Sequence, residues 1–324
     1  MRGADLVRQG EASRGAFIVR SGEAEARVAL PGGGAFPVAR FGKGDLFGEM
    51  ALVERGVCSA TVVAHSNVDA WFVSRDDLRG LVAGRDAAGF EALRAVTRIL
   101  SSKLSALNAR VRAFPAAEDR AVREAPPAGD PLEGVARSHR ASFEWRRFLR
   151  LLSFFEGWEE HDREELASYG KALELERGAW VFVAGRPASA CYLVVRGALE
   201  LFARSNGTER RVAIAGPGEL VGFMAVVNDA ARTNDARVRE TCCLLEIPRA
   251  AFMDAYRGNS SLTVSLQRAI HRSLLVSIAR TNTQLTRLIT HARLRHAEDE
   301  VRTLEGLLRG QVVNPDTAPQ RVGD

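Results

Sequence analysis

The sequence predicts a mainly β protein with α elements, organised as two β sandwiches or barrels that are each followed by a helix. Three observations predict it: a long internal repeat, short strand-like runs within each copy, and an apolar rhythm of three and four residues after each copy.

The repeat comes first. Residues 9–25, QGEASRGAFIVRSGEAE, align with 184–200, AGRPASACYLVVRGALE, placing Gly10 on Gly185 and Gly22 on Gly197 at an offset of 175. GDLFGEMALV (44–53) aligns with GELVGFMAVV (218–227), and AWFVSRDDL (70–78) with LLEIPRAAF (244–252), both at 174. A period this long marks duplicated domains, and 324 residues is the length of about two.

Inside each copy, runs such as AFIV, EARVAL, ATVVA and DAWFV are broken by Gly-, Pro- and Ser-rich turns. After the first copy, Leu93, Val96, Leu100, Leu104, Leu107, Val111 and Phe114 recur at helical spacing. Residues 114–134 are rich in Pro, Ala and charge and read as a linker. Residues 148–170 form an apolar and acidic helical stretch with no counterpart before Gly10, so the first copy reads as N-terminally short. After the second copy, Leu274, Ile278, Thr281, Leu285, Leu288 and Ala292 follow an a/d seam, which predicts self-association through 270–292. The resulting division is a first unit over 1–115, a linker over 116–140, a second unit over 141–295 and a charged tail over 296–324.

Composition narrows the function. The apolar fraction is 46%, and no uncharged apolar run is long enough to span a bilayer. The N-terminus lacks the apolar stretch of a secretory signal, so a cytoplasmic protein is expected. Cys58, Cys191, Cys242 and Cys243 have no metal-ligand spacing, and His291 with His296 makes only a loose pair. No metal is expected. There is no Walker loop, GxSxG elbow or other catalytic constellation, so the chain is read as non-enzymatic. The net charge is +5, and only Lys43, Lys103 and Lys171 among the 45 basic residues are lysines. Two helical stretches carry basic residues and no acid: Arg94, Arg98, Lys103, Arg110 and Arg112, then Arg268, Arg272, Arg280, Arg287, Arg293 and Arg295. These faces are expected to dock in part on the six carboxylates between Glu156 and Glu165, or else to stay solvated. Nucleic acid is not an expected partner, because no reading motif and no interleaved aromatics accompany the arginines.

The QGE…FIVRSGE opening, the GDLFGEMAL stretch and WFVSRDDL leading into a helix resemble the cyclic nucleotide-binding domain family, the domain of the catabolite activator protein and of protein kinase A regulatory subunits. The resemblance covers both copies and implies a β-roll (jelly-roll) barrel with cAMP or cGMP as ligand. It assigns nucleotide contact to Gly48, Glu49, Met50, Ala51, Ser59 and Ala60 in the first copy, and to Gly222, Arg232 and Thr233 in the second. In such a cassette, free N–H groups at a helix start face the anion and the glutamate accepts from a ribose hydroxyl. An arginine nine residues after the glutamate clamps the phosphate.

Each copy keeps half of that pair. Position 58 is Cys, with Arg55 in the same loop as a substitute; in the second copy Arg232 is present but Phe223 replaces the glutamate. Asn234 and Asp235 stand where the first copy has Ala60 and Thr61, and a carboxylate there would repel a phosphate. Two functions follow: a regulatory sensor signalling through the post-barrel helices, joined to a second copy or a protein partner by the C-terminal helix, or a ligand-free pseudo-receptor scaffold for protein partners. Beyond Ala292 the sequence is too short for the winged DNA-binding domain of the family's transcription factors.

Overall fold

The computed structural model describes residues 2–12, 15–29, 33–53, 57–113, 120–121, 125–137, 144–205 and 208–310, with backbone alone over 291–310. The first unit runs β1 (Asp5–Val7), β2 (Gly15–Ser21), β3 (Ala24–Ala29), β4 (Ala35–Phe41), β5 (Leu46–Phe47), α1 (Met50–Val53), β6 (Thr61–Ala64), β7 (Asp69–Ser74), α2 (Arg75–Ala83) and α3 (Ala87–Ala113). After β8 (Arg120–Ala121), the second unit opens with α4 (Trp145–Phe148), two 3₁₀ turns and α5 (Glu160–Tyr169). It continues through β9 (Lys171–Leu175), β10 (Trp180–Phe182), β11 (Ala190–Ser205), β12 (Thr208–Ala215), β13 (Leu220–Val221), α6 (Phe223–Val227), β14 (Asp235–Pro248), α7 (Arg249–Arg257) and α8 (Ser261–Gly310).

All strand pairs are antiparallel. The first unit has sheets ordered β1-β6-β3-β4 and β5-β2-β7; in the second, β10-β14-β11-β12-β8 form one path, with β9 on β14 and β13 on β11. The long β11 and β14 pair from Ala190 with Pro248 to Phe202 with Asp235, and their register slips around Arg196 and Ala198. Gly197 sits at that bend with φ +83°, and a Cβ there would lie 2.4 Å from the Thr241 carbonyl. Gly22, its repeat partner, has φ +89° and would meet the Asn67 carbonyl at 2.1 Å. Only glycine turns these corners. The fold class read from the sequence is the one observed.

At the end of β7, Ser74 caps α2: its hydroxyl accepts from the Asp77 N–H at 3.1 Å, and the Asp77 carboxylate accepts from the Ser74 N–H at 3.1 Å. α3 then carries the expected stripe inward, with Leu93, Val96, Leu100, Leu104, Leu107 and Val111 all buried. Phe114 lies outside the described residues.

The two post-barrel helices pair with each other. Thr97 Oγ1 bonds Gln267 Oε1 and His271 Nε2, each at 2.8 Å and at separations of 170 and 174 residues. Thr281 donates to Asn108 at a separation of 173. A constant difference, rather than a constant sum, means that α3 and α8 run parallel, with repeat-equivalent positions meeting near Thr97 and His271. Leu274, Ile278 and Leu285 are buried in this seam. The stripe expected to recruit a second copy is filled inside one chain, so it gives a homodimer no exposed apolar seam over 270–285. The side chains of Ala292, Arg293, Arg295 and His296, with the rest of the tail, lie outside the description.

Two further expectations shift. Residues 125–137, read as linker, lie on the second barrel: Leu132 is 1% exposed in its core, and Arg137 pairs with Glu246 at 2.6 Å. Among the described residues, Glu156 alone of the acidic run forms an ion pair with a basic helix, to Arg272 at 3.6 Å. Asp162 accepts from Ser261 and Ser265 instead, Glu164 pairs with Arg146, and Arg280 turns to Glu219. The reason is geometric: α5 presents most of its acids away from the seam.

Candidate functional site

Both units hold their cassette in the same backbone. Gly48 and Gly222 have φ of +76° and +80°. A Cβ would lie 2.9 Å from the Gly15 carbonyl in the first and 2.3 Å from the Arg232 guanidinium in the second. The supporting hydrogen bonds repeat too: the Gly10 N–H donates to Cys58 O at 2.9 Å and the Gly185 N–H to Arg232 O at 2.8 Å. α1 is only four residues long, and the Ala51 N–H is used inside the turn, donating to Gly48 O at 3.0 Å. The expected row of free N–H groups therefore does not include Ala51.

A cavity of about 230 Å³ brings together Gly48, Glu49, Met50, Ala51, Cys58, Ser59 and Ala60. Its far wall comes from elsewhere: Lys103 of α3, and Leu275, Val276 and Ala279 of α8. Glu49 is not a solvated acid. Its side chain is 2% exposed and its carboxylate accepts from Lys103 Nζ at 2.6 Å, with the lysine side chain 29% exposed. Burying a carboxylate without a counter-charge is expensive, so this pair holds α3 against the cassette. A lysine 54 residues from Glu49 thus brings a cation into the cassette cavity, where position 58 has none. Sequence reading placed Lys103 on a basic face; the available signal was that it is the one lysine among that helix's cations. Arg55, the substitute considered in the loop, lies outside the described residues.

In the second unit a larger cavity, about 740 Å³, is lined by Gly222, Phe223, Arg232, Thr233 and Asn234, by α8, and by Leu104 and Asn108 of α3. Here the arginine is committed. Arg232 is 4% exposed, donates to Gly222 O at 2.7 Å and to Ala190 O at 2.5 Å, and stacks 4.4 Å over the Phe182 ring. Burial, the leading cause, pulls its pKa below the ordinary arginine range. Phe223 is buried where the first unit has Glu49. Asp235, expected to repel a phosphate, instead pairs with Arg204 at 2.8 Å and accepts from the Ala184 N–H at 2.9 Å.

The sequence profile of the cyclic nucleotide-binding domain matches residues 1–85 and 172–259, together more than half of the chain. The chain belongs to the cyclic nucleotide-binding domain family. Among relatives, it is 25% identical over 142 residues to a CRP-like cAMP-activated global transcriptional regulator of Mycobacterium tuberculosis, covering 44% of this chain and 62% of that one. It is 31% identical over 121 residues to the cyclic AMP receptor protein of Thermus thermophilus, covering 37% and 56%. The chain therefore spans only about three fifths of the length of these relatives. Among solved structures, the regulatory domain of Toxoplasma gondii PKA with cAMP is 20% identical with a TM-score of 0.34, covering 82% of this chain and 80% of that one. The regulatory subunit of a cAMP-independent protein kinase A from Trypanosoma brucei is 17% identical with a TM-score of 0.34, covering 90% and 82%.

Among the described residues, no group of His, Cys, Asp and Glu could hold a metal, and no helix is long and apolar enough to cross a membrane. The four cysteines are free thiols. Burial raises Cys242 to about 12 and Cys243 to about 11, which suits packing rather than reactivity.

Proposed function

We propose that this chain is a regulatory module whose first cyclic nucleotide-binding domain takes cAMP or cGMP, with Lys103 serving as the phosphate clamp that position 58 lacks. The observation that carries it is the Glu49–Lys103 pair inside the cassette cavity. An ammonium resting on Glu49 is a short reach from an anion in the same cavity. A bound nucleotide would draw Lys103 to its phosphate and free Glu49 to accept from the ribose. Leu275, Val276 and Ala279 wall the same cavity, so occupancy would be felt by α8, the post-barrel helix of the other domain. A ligand biases such a switch only through its different affinity for the two helix arrangements. The second domain favours the other reading, a ligand-free scaffold, because Arg232 already has backbone partners and Phe223 offers no acceptor.

Calorimetry with cAMP and cGMP tests this. The parent should bind one of them at one site, and Lys103→Met should weaken binding roughly ten- to hundred-fold, the worth of one hydrogen bond to a charged group. The double variant Lys103→Met with Glu49→Gln removes the stranded carboxylate and should restore stability without restoring affinity. Binding equal in parent and Lys103→Met, or none to either nucleotide at millimolar concentration, would overturn the assignment.

A further inference from the structure

A third cavity, about 400 Å³, lies between the domains; it shares Glu156 and Arg272 with the second cassette cavity and touches α1 at Leu52, while its other arginines line neither cassette. Four guanidinium groups face it: Arg75 and Arg79 from α2 of the first domain, Arg268 and Arg272 from α8 of the second. The acid lining it is Glu156, whose side chain is 77% exposed and sits 3.6 Å from Arg272. Two of the arginines are anchored by backbone. Arg75 Nε donates to Ala51 O at 2.7 Å, and Arg272 donates to Glu156 O at 2.9 Å.

Arg79 and Arg268 face one another's charge across the domain boundary, and among the described residues no hydrogen bond or ion pair holds either. Partial burial, then the charges of Arg79 and Arg272, lower the Arg268 pKa. Trp158 lines the same cavity, is 9% exposed, and has a buried indole N–H without a partner among the described residues. Such a concentration of like charge around a concave surface is relieved by an anion, and planar guanidinium forks suit phosphate oxygens. The volume falls in the range of small-molecule sites and leaves no room for a helix or a duplex.

We infer that this cavity is a second anion site, for a phosphate-bearing small molecule of at least two negative charges that bridges α2 of the first domain to α8 of the second. Its occupancy would fasten the domains at the base of the α3–α8 seam through Arg79 and Arg268, which line neither cassette cavity.

Inorganic pyrophosphate is the probe, titrated into the full chain at constant ionic strength. Saturable single-site binding is expected, with at least a ten-fold loss in Arg79→Gln/Arg268→Gln and no change in Lys103→Met. Neither side chain has a bonding partner among the described residues, so the unliganded double variant should melt no lower than the parent, having lost a repulsion. Absence of saturable heat at millimolar pyrophosphate, or equal binding by the double variant, would overturn the site. Binding of polyglutamate with none of pyrophosphate would also overturn it, in favour of an acidic protein segment.

Discussion

The two cassette cavities are repeat copies that lack opposite halves of one pair. At an offset of 174, Glu49, Cys58 and Lys103 of the first stand where the second has Phe223, Arg232 and Ser277. The first retains a buried acid and recruits a cation from its post-barrel helix. The second retains the cation and lets two carbonyls and an aromatic ring satisfy it. A buried charge that loses its partner must find another or disappear. In the first copy the substitute is a side chain on the post-barrel helix; in the second it is backbone. Under the proposed function, only the first arrangement offers a ligand a side-chain partner to displace.

The largest effect should come from removing the fixed cation. Arg232→Met strands the carbonyls of Gly222 and Ala190 without their donor, and each orphaned acceptor costs about 1–3 kcal/mol. A loss of about 4 kcal/mol in urea unfolding is expected, against less than about 1 kcal/mol for Cys58→Ala at the equivalent, half-exposed position. Similar costs at the two positions would mean that Arg232 is not structural, and the contrast between the copies would fail.

Much of this was legible in advance. The repeat offset located both cassettes, the glycines marked the bends that only positive φ permits, and the apolar stripes of α3 and α8 fell where burial is found. The missing clamp at Cys58 and the missing acceptor at Phe223 were also readable. What was not readable depended on distance along the chain. Lys103 meets Glu49 only because α3 folds back over the cassette, and nothing local to either residue says so. The α8 stripe announced a partner helix without naming it. That the partner is α3 is written in the separation of 174 between Thr97 and His271, visible once the helices are known to be parallel. Asp235 looked repulsive because its neighbour in sequence is the cassette, while its neighbour in space is Arg204.

The seam between the copies should show the next effect, in pH. His271 is fully buried against Thr97 and the Leu93 carbonyl, and burial lowers its pKa from 6.5 to about 4. The unfolded imidazole takes a proton near its ordinary pKa while the folded one stays neutral, so folding is disfavoured as pH falls. Stability is complete above about pH 6.5 and declines toward pH 4, by about 3 kcal/mol in all. His271→Gln should flatten that part of the urea-midpoint profile, whereas an unchanged slope would assign it to carboxylates elsewhere.

The smallest effect sharpens the comparison most. Cys58→Arg gives the first cassette the arginine of the second while keeping Glu49. On paper this completes the pair and should tighten nucleotide binding by the full value of a charge-assisted bond. The second domain argues for less. There, without an anion, the arginine lies on the carbonyls of Gly222 and Ala190, whose repeat equivalents are those of Gly48 and the start of β2. An introduced arginine would settle on them in the free protein and would have to leave them for the phosphate. Lys103 would also remain beside it, and two cations share one phosphate with diminishing return. The expected gain is therefore about ten-fold, near 1.4 kcal/mol, and not the hundred-fold of a clamp built into an empty place. Calorimetry on Cys58→Arg alone and with Lys103→Met separates the terms. If the arginine matters more once Lys103 is gone, the two cations serve the same anion. Equal gains in both backgrounds would mean that Lys103 never reaches the phosphate, and its partnership with Glu49 would be structural only.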